Sequence, residues 1–151
     1  MEERTHEDSI SPINQRSMRN VVLDTNCLLQ MIPIRSKYRP AWQSFLDGNY
    51  FLCVSNEIIS EYLEILSAKV SPQFAKNIVS AILRSYYVRR IDPQYHFGLI
   101  SIDPDDNKFV DCAIIANADY IVTEDSHFKI LETISFPKVN VITLDQFVES
   151  I

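Results

Sequence analysis

Hydrophobic residues follow two rhythms along this chain, and their alternation predicts an α/β fold. Short continuous apolar runs at residues 20–23, 50–54, 121–123 and 139–142 read as strands buried on both faces. Residues 86–91 read as a further strand, interrupted by Arg89 and Arg90. Between these runs the spacing widens to three or four. Residues 56–68 place Ile59, Tyr62, Leu63 and Leu66 on one helical face, and Glu57, Ser60 and Glu64 away from it. Glu61, flanked by Ile58 and Ile65, falls on the border between the two faces.

Capping residues mark where the helices begin. Thr25 or Asn26 is expected to cap a helix carrying Cys27, Leu28, Leu29 and Met31, which Pro33 ends. A second helix is expected over residues 40–46, with Trp42, Phe45 and Leu46 inward and Asp47-Gly48 closing it. Ser55 or Asn56 starts the helix that carries Glu61, and Ser71-Pro72 starts another with Phe74, Ile78, Ala81 and Ile82 on its buried face. Residues 92–98 read as a loop. Thr143 and Gln146 form a capping box for a terminal helix. Strands that alternate with helices and carry no polar face predict a parallel sheet covered on both sides.

Composition narrows the class. The chain has 151 residues, 46% of them hydrophobic and 23% charged, as expected of one globular domain. Residues 1–18 are polar and aperiodic and read as a tail, leaving 19–151 as the folded domain; Met18 is also a candidate alternative start. Two glycines exclude a Gly-rich phosphate cradle. Three cysteines, Cys27, Cys53 and Cys112, each lie in an apolar run without zinc-site spacing. With no signal peptide, they fit a cytoplasmic protein with buried thiols. No apolar run is long enough for a membrane span. The net charge of −6 argues against nucleic-acid binding through a broad basic face, but not against a nuclease that uses cations to bridge its acids to phosphates.

The stretch 102–128 organises the candidate chemistry. It brings acids to the start of one helix and ends a strand at Asp125, much as the first strand ends at Asp24. Each acid has an ordinary explanation. Asp24 and Asp125 suit turns or caps, Glu61 suits a solvated face, and Asp106 suits a helix dipole, a role for which Asp103 and Asp105 compete. The case is joint: if the two strands are neighbours, their acids emerge side by side beyond the carboxyl edge, where open α/β sheets bind ligands. Carboxylates gathered that closely repel one another, and a hard divalent cation such as Mg²⁺ or Mn²⁺ relieves them. His96 and His127 read as surface histidines, and Tyr86 and Tyr87 as core. Arg89, Arg90, Lys37 and Arg39 are weaker candidates for phosphate contact.

Four blocks in order, VVLDTNCLL, VSNEIISEYLEIL, DPDDNKFVDCA and ADYIVTEDSHF, resemble the motifs of PIN-domain nucleases, most closely the branch of toxin–antitoxin toxins. The resemblance runs from Arg19 to the C-terminus. It implies a three-layer α/β/α fold around a central parallel sheet, and a Mg²⁺- or Mn²⁺-dependent ribonuclease site holding one or two ions. Carried over motif by motif, the four acids fall on Asp24, Glu61, Asp106 and Asp125, with Thr123 and Asn26 as supporting polar groups. Asp111 stands where this branch usually has a glutamate, and His127 where an acid is common. The implied partners are an RNA substrate, a small antitoxin protein and a second copy of the chain.

The expected function is therefore a metal-dependent endoribonuclease, the toxin of such a pair. The alternatives are an RNA-processing nuclease outside any toxin–antitoxin system, or a non-catalytic module that binds RNA or protein. A phosphatase or receiver-like use of Asp24 is disfavoured, because DTN lacks the second acid of a DxD motif.

Overall fold

Among the described residues five parallel strands form one sheet in the order β3-β2-β1-β4-β5. The strands are β1 (Arg19–Leu23), β2 (Tyr50–Val54), β3 (Val88–Arg90), β4 (Tyr120–Val122) and β5 (Val141–Ile142). The computed structural model describes residues 18–151, so the tail expected over residues 1–18 lies outside the described residues except for Met18. Consecutive residues Val21, Val22 and Leu23 on β1, and Leu52, Cys53 and Val54 on β2, have no exposed surface. Both faces of the sheet are covered, giving the three-layer α/β/α arrangement. The continuous apolar runs follow directly from that double burial.

The peripheral strands are shorter than their apolar runs. Only Val88–Arg90 of the run 86–91 forms β3, although Leu52 N donates to Tyr87 O and Ile91 N to Val54 O on either side. Tyr86 is 84% exposed and is not a core residue. Val139 is buried but lies outside β5. At a sheet edge a strand pairs on one side only, so an apolar run can pack without extending the ladder.

Among the described residues six α-helices lie between strands or follow the last one, α1 (Thr25–Met31), α2 (Arg39–Leu46), α3 (Asn56–Lys69), α4 (Pro72–Arg84), α5 (Asn107–Ala116) and α6 (Leu144–Ser150), and a 3-10 helix, Ser126–Thr133, connects β4 to β5. The Ser55 and Ser71 hydroxyls accept from Ile58 N and Phe74 N, and both halves of the Thr143–Gln146 capping box are present. Two expectations need correction. Thr25 and Asn26 lie inside α1, and Asp24 takes the cap position without a side-chain cap bond. Leu46 is 45% exposed, because α2 turns inward through Ala41, Trp42 and Phe45 instead. The turn after α2 requires Gly48: its φ is +80°, and a Cβ there would lie 2.4 Å from the Tyr87 ring.

α5 packs across β1, β2 and β4, which places its N-terminal end over the carboxyl edge of the sheet centre. It closes at Asn117, whose left-handed φ of 53° is one that asparagine tolerates. Cys27, Cys53 and Cys112 are buried free thiols, and burial pushes Cys53 up to about 11. Among the described residues no helix is long and apolar enough to cross a membrane.

Candidate active site

The strand order reverses at the centre of this sheet. From β1 the chain steps through β2 to β3 on one side, then returns to place β4 and β5 on the other. β1 and β4 therefore flank the switch point, where open α/β sheets form a crevice beyond their carboxyl ends. Asp24 leaves β1 at this crevice, and Asp125 follows β4 there. The juxtaposition expected of them is present: Asp24 N donates to Val122 O at 3.0 Å, extending the ladder to the residue that carries the acid.

Thr123 ties the two acids together. Its hydroxyl donates to Asp24 Oδ2 at 2.7 Å and accepts from the backbone N–H of Asp125 at 3.0 Å. The carboxylate of Asp125 in turn accepts from His127 N at 2.9 Å. Asp24 is only 7% exposed. Burial pushes its carboxyl above the usual range; hydrogen bonds from Thr123 and the Thr25 backbone oppose that, and repulsion from Glu61 and Asp125 adds to it.

Glu61 reaches the cluster from α3, half-buried as its border position predicts. Its Oε2 accepts from Thr25 Oγ1 at 2.5 Å, and its Oε1 accepts from Lys108 Nζ at 2.7 Å. Burial alone would lower the Lys108 ammonium, but its bonds to Glu61 and Asp105 outweigh that and hold it above its ordinary value. Asn26, expected as a supporting polar group, is exposed; its neighbour Thr25 makes the contact with an acid instead.

Asp106 ends a single 3-10 turn, Pro104–Asp106, that leads into α5. Burial, followed by repulsion from Asp103 and Asp125, raises its carboxyl to about 6, against a lowering hydrogen bond from His127 and a further raising effect from Asp24. His127 is not an isolated surface histidine. Its Nδ1 lies 3.4 Å from both Asp106 Oδ2 and Asp125 Oδ1, joining acids from two elements. One ligand atom each from Asp103, Asp106 and His127 fall within 4.8 Å of one another. Of the acids carried over from the motifs, Asp24 feels repulsion from Glu61 and Asp125, and Asp106 from Asp125 and Asp24.

Two residues of the third motif do different work. Asp111 is buried on α5, where Oδ1 accepts from Phe97 N at 3.1 Å and Oδ2 lies 3.2 Å from His96 Nδ1. It anchors the segment before the 3-10 turn rather than joining the acids. The Asn107 side chain accepts from Ile100 N at 2.9 Å and donates to Ile100 O at 2.8 Å, pinning the same segment. Lys108 and the linking role of His127 were not legible in the sequence, since Glu61 and Asp106 lie 47 and 21 residues from them; Asn107 bonds only 7 residues back, but into an irregular loop that carries no periodic signal. The only early signal for His127 was its place two residues beyond Asp125.

The donor set fits a hard divalent cation. Among the described residues the ligand atoms within 4.8 Å of one another are those of Asp103, Asp106 and His127, and no group containing Asp24, Glu61 or Asp125 meets that spacing. Repulsion from Glu61 and Asp125 at Asp24, and from Asp103, Asp125 and Asp24 at Asp106, contributes to the upward shifts of those two carboxyls. His127 adds a nitrogen donor at the margin. The elements define a doubly covered parallel α/β protein with an acid-lined crevice at its switch point.

Comparison with known proteins agrees with that class. The PIN domain matches residues 20–127, and the chain belongs to the PIN-domain family. No curated protein matches it. Among solved structures it is similar to a chain of VapBC2 from Rickettsia felis, bound to a DNA fragment from the promoter, with 18% identity and a TM-score of 0.58 over 82% of this chain and 98% of that one. A chain of DNA-bound VapBC from Salmonella typhimurium is 16% identical with a TM-score of 0.55, over 84% of this chain and 99% of that one. A chain of VapBC-1 from nontypeable Haemophilus influenzae is also 16% identical, with a TM-score of 0.57 over 83% and 98%. At these identities the likeness establishes the fold.

Proposed function

We propose that this protein is a metal-dependent endoribonuclease and the toxin of a toxin–antitoxin pair. The observation that carries the nuclease reading is the meeting of Asp24 and Asp125 at the switch point, tied by the Thr123 hydroxyl. Family membership and the order of the four motifs support it. The likeness to chains of VapBC assemblies, two of them bound to DNA, supports a small antitoxin partner.

In this reading Asp24 and Asp125 are the principal ligands of Mg²⁺ or Mn²⁺, and Asp106 and Glu61 complete the acidic cluster. The bound cation supplies charge neutralisation of the scissile phosphate and a lowered pKa for the attacking water. Thr123 fixes the carboxylate of Asp24 by its hydrogen bond and the backbone of Asp125 from the other side. Asp106 and Glu61 would orient the attacking water, for which a carboxylate can act as general base. His127 holds Asp106 and Asp125 at a common distance.

The test is Mn²⁺-dependent cleavage of single-stranded and structured RNA by the full chain and by Asp24→Asn. The variant is expected to lose cleavage while its thermal midpoint stays equal or rises, since a buried charge has been removed. Wild-type turnover in the variant would overturn the site assignment. Metal-dependent RNA binding without cleavage in the parent would favour the non-catalytic module. Copurification with the small protein of the adjacent reading frame, and its suppression of cleavage, tests the toxin reading separately.

A further inference from the structure

Lys108 neutralises one of the four acids before any cation arrives. It lies on α5 just beyond Asp106, with a side chain only 12% exposed. Its ammonium has three protons and three acceptors: Glu61 Oε1 at 2.7 Å, the Asp105 carbonyl at 2.9 Å and Asp105 Oδ1 at 2.9 Å. Glu61 is equally committed. Lys108 holds one of its oxygens and Thr25 holds the other. By contrast, Asp24 Oδ2 meets a neutral hydroxyl, and Asp106 and Asp125 share an imidazole edge.

A carboxylate that faces a lysine this closely presents little net charge to an incoming cation. The two sit in a partly desolvated pocket, where screening by water is weak. We propose that Lys108 is a positioning residue that pairs with Glu61 as a neutral unit, so that the cation is carried by Asp24, Asp106 and Asp125 while Glu61 acts only through what it orients. The inference rests on the metal-dependent reading of the same site and refines it. It predicts a functional difference between Glu61 and the other three acids that the motif pattern does not contain.

The test is Mn²⁺ titration by calorimetry on the full chain, with the fold checked by thermal melting. Lys108→Gln removes the neutralising charge and leaves Glu61 free, so Mn²⁺ binding should tighten by about threefold to tenfold. Lys108→Arg keeps the charge and should bind as the parent does. The double variant Lys108→Gln/Glu61→Gln replaces one neutral pair with another, and its affinity should stay within about threefold of the parent. Unchanged or weaker binding in Lys108→Gln, or a loss beyond about threefold in the double variant, overturns the role of Lys108 and leaves the metal site standing. Absence of Mn²⁺ binding in both the parent and Lys108→Gln overturns the metal reading together with it. Should Lys108→Gln fail to fold, the double variant decides alone, because the only charge it leaves without its partner is that of Asp105, whose side chain is 75% exposed.

Discussion

Thr123 and Asp24 are 99 residues apart in the chain, and their side chains meet at 2.7 Å. The hydroxyl is buried, and it also accepts the backbone N–H of Asp125. One small side chain therefore sets the relative placement of two acids delivered by different strands. Threonine suits this position twice over, since its β-branch favours a strand end while its hydroxyl can donate and accept at once.

Thr123→Val keeps the shape and removes both bonds. Asp24 loses the hydrogen bond that lowers its carboxyl, and Asp125 N loses its acceptor. Stability is expected to fall by about 1–3 kcal/mol, read from the urea midpoint at unchanged m value. Mn²⁺-dependent cleavage should fall more steeply than stability. A variant with parental cleavage would show that Thr123 does not position the acids.

Acid pH should stabilise the metal-free site. The folded carboxyl of Asp106 stands at about 6 against an ordinary 3.8, so the folded state binds its proton more tightly than the unfolded chain does. Stability from this group is present below 3.8 and is lost as pH rises through about 6. Burial displaces Asp24 in the same direction. Asp106→Asn should flatten the thermal midpoint across that window. Cations compete with the same proton, so Mn²⁺ affinity in the parent should rise as pH passes upward through about 6.

Tyr62 supports the crevice from below. Its hydroxyl is buried and donates to Leu23 O at 2.7 Å, one residue before Asp24. Tyr62→Phe leaves that carbonyl without the bond and should cost roughly 1–3 kcal/mol in urea unfolding. An effect within error would show that the carbonyl finds another donor.

Asn107 tests the anchoring of the segment ahead of Asp103 and Asp106. Its amide makes both bonds to the Ile100 backbone. Asn107→Ala should speed hydrogen exchange at Ile100 and lower stability by about 1–3 kcal/mol. Exchange at Leu52, whose N–H bonds to Tyr87 O between β2 and β3 and away from this segment, should follow only the global change.

Periodicity carried most of the architecture. β2 matched its apolar run residue for residue, and the caps at Ser55, Ser71 and Thr143 matched their sequence signals, because each depends on neighbours within four positions. The edge strands were shorter than their runs, since pairing there depends on which strand lies alongside. Leu46 and Tyr86 are apolar yet exposed, and nothing local distinguishes them from core residues. The border position of Glu61 was legible from its helical neighbours, but its pairing with Lys108 was not, for the two are 47 residues apart.

Local order along the chain was enough to determine the alternation of strands and helices, the double burial of the sheet and the acids that end β1 and follow β4. These are short-range consequences of hydrophobic spacing and backbone capping. Tertiary structure alone decided that β1 and β4 are neighbours, that Thr123 joins their acids, that Asp111 serves the loop, and that His127 and Lys108 belong to the cluster. The reason is physical: the free energy of a charge depends on what else is buried within a few ångströms of it, and only the folded chain sets those distances.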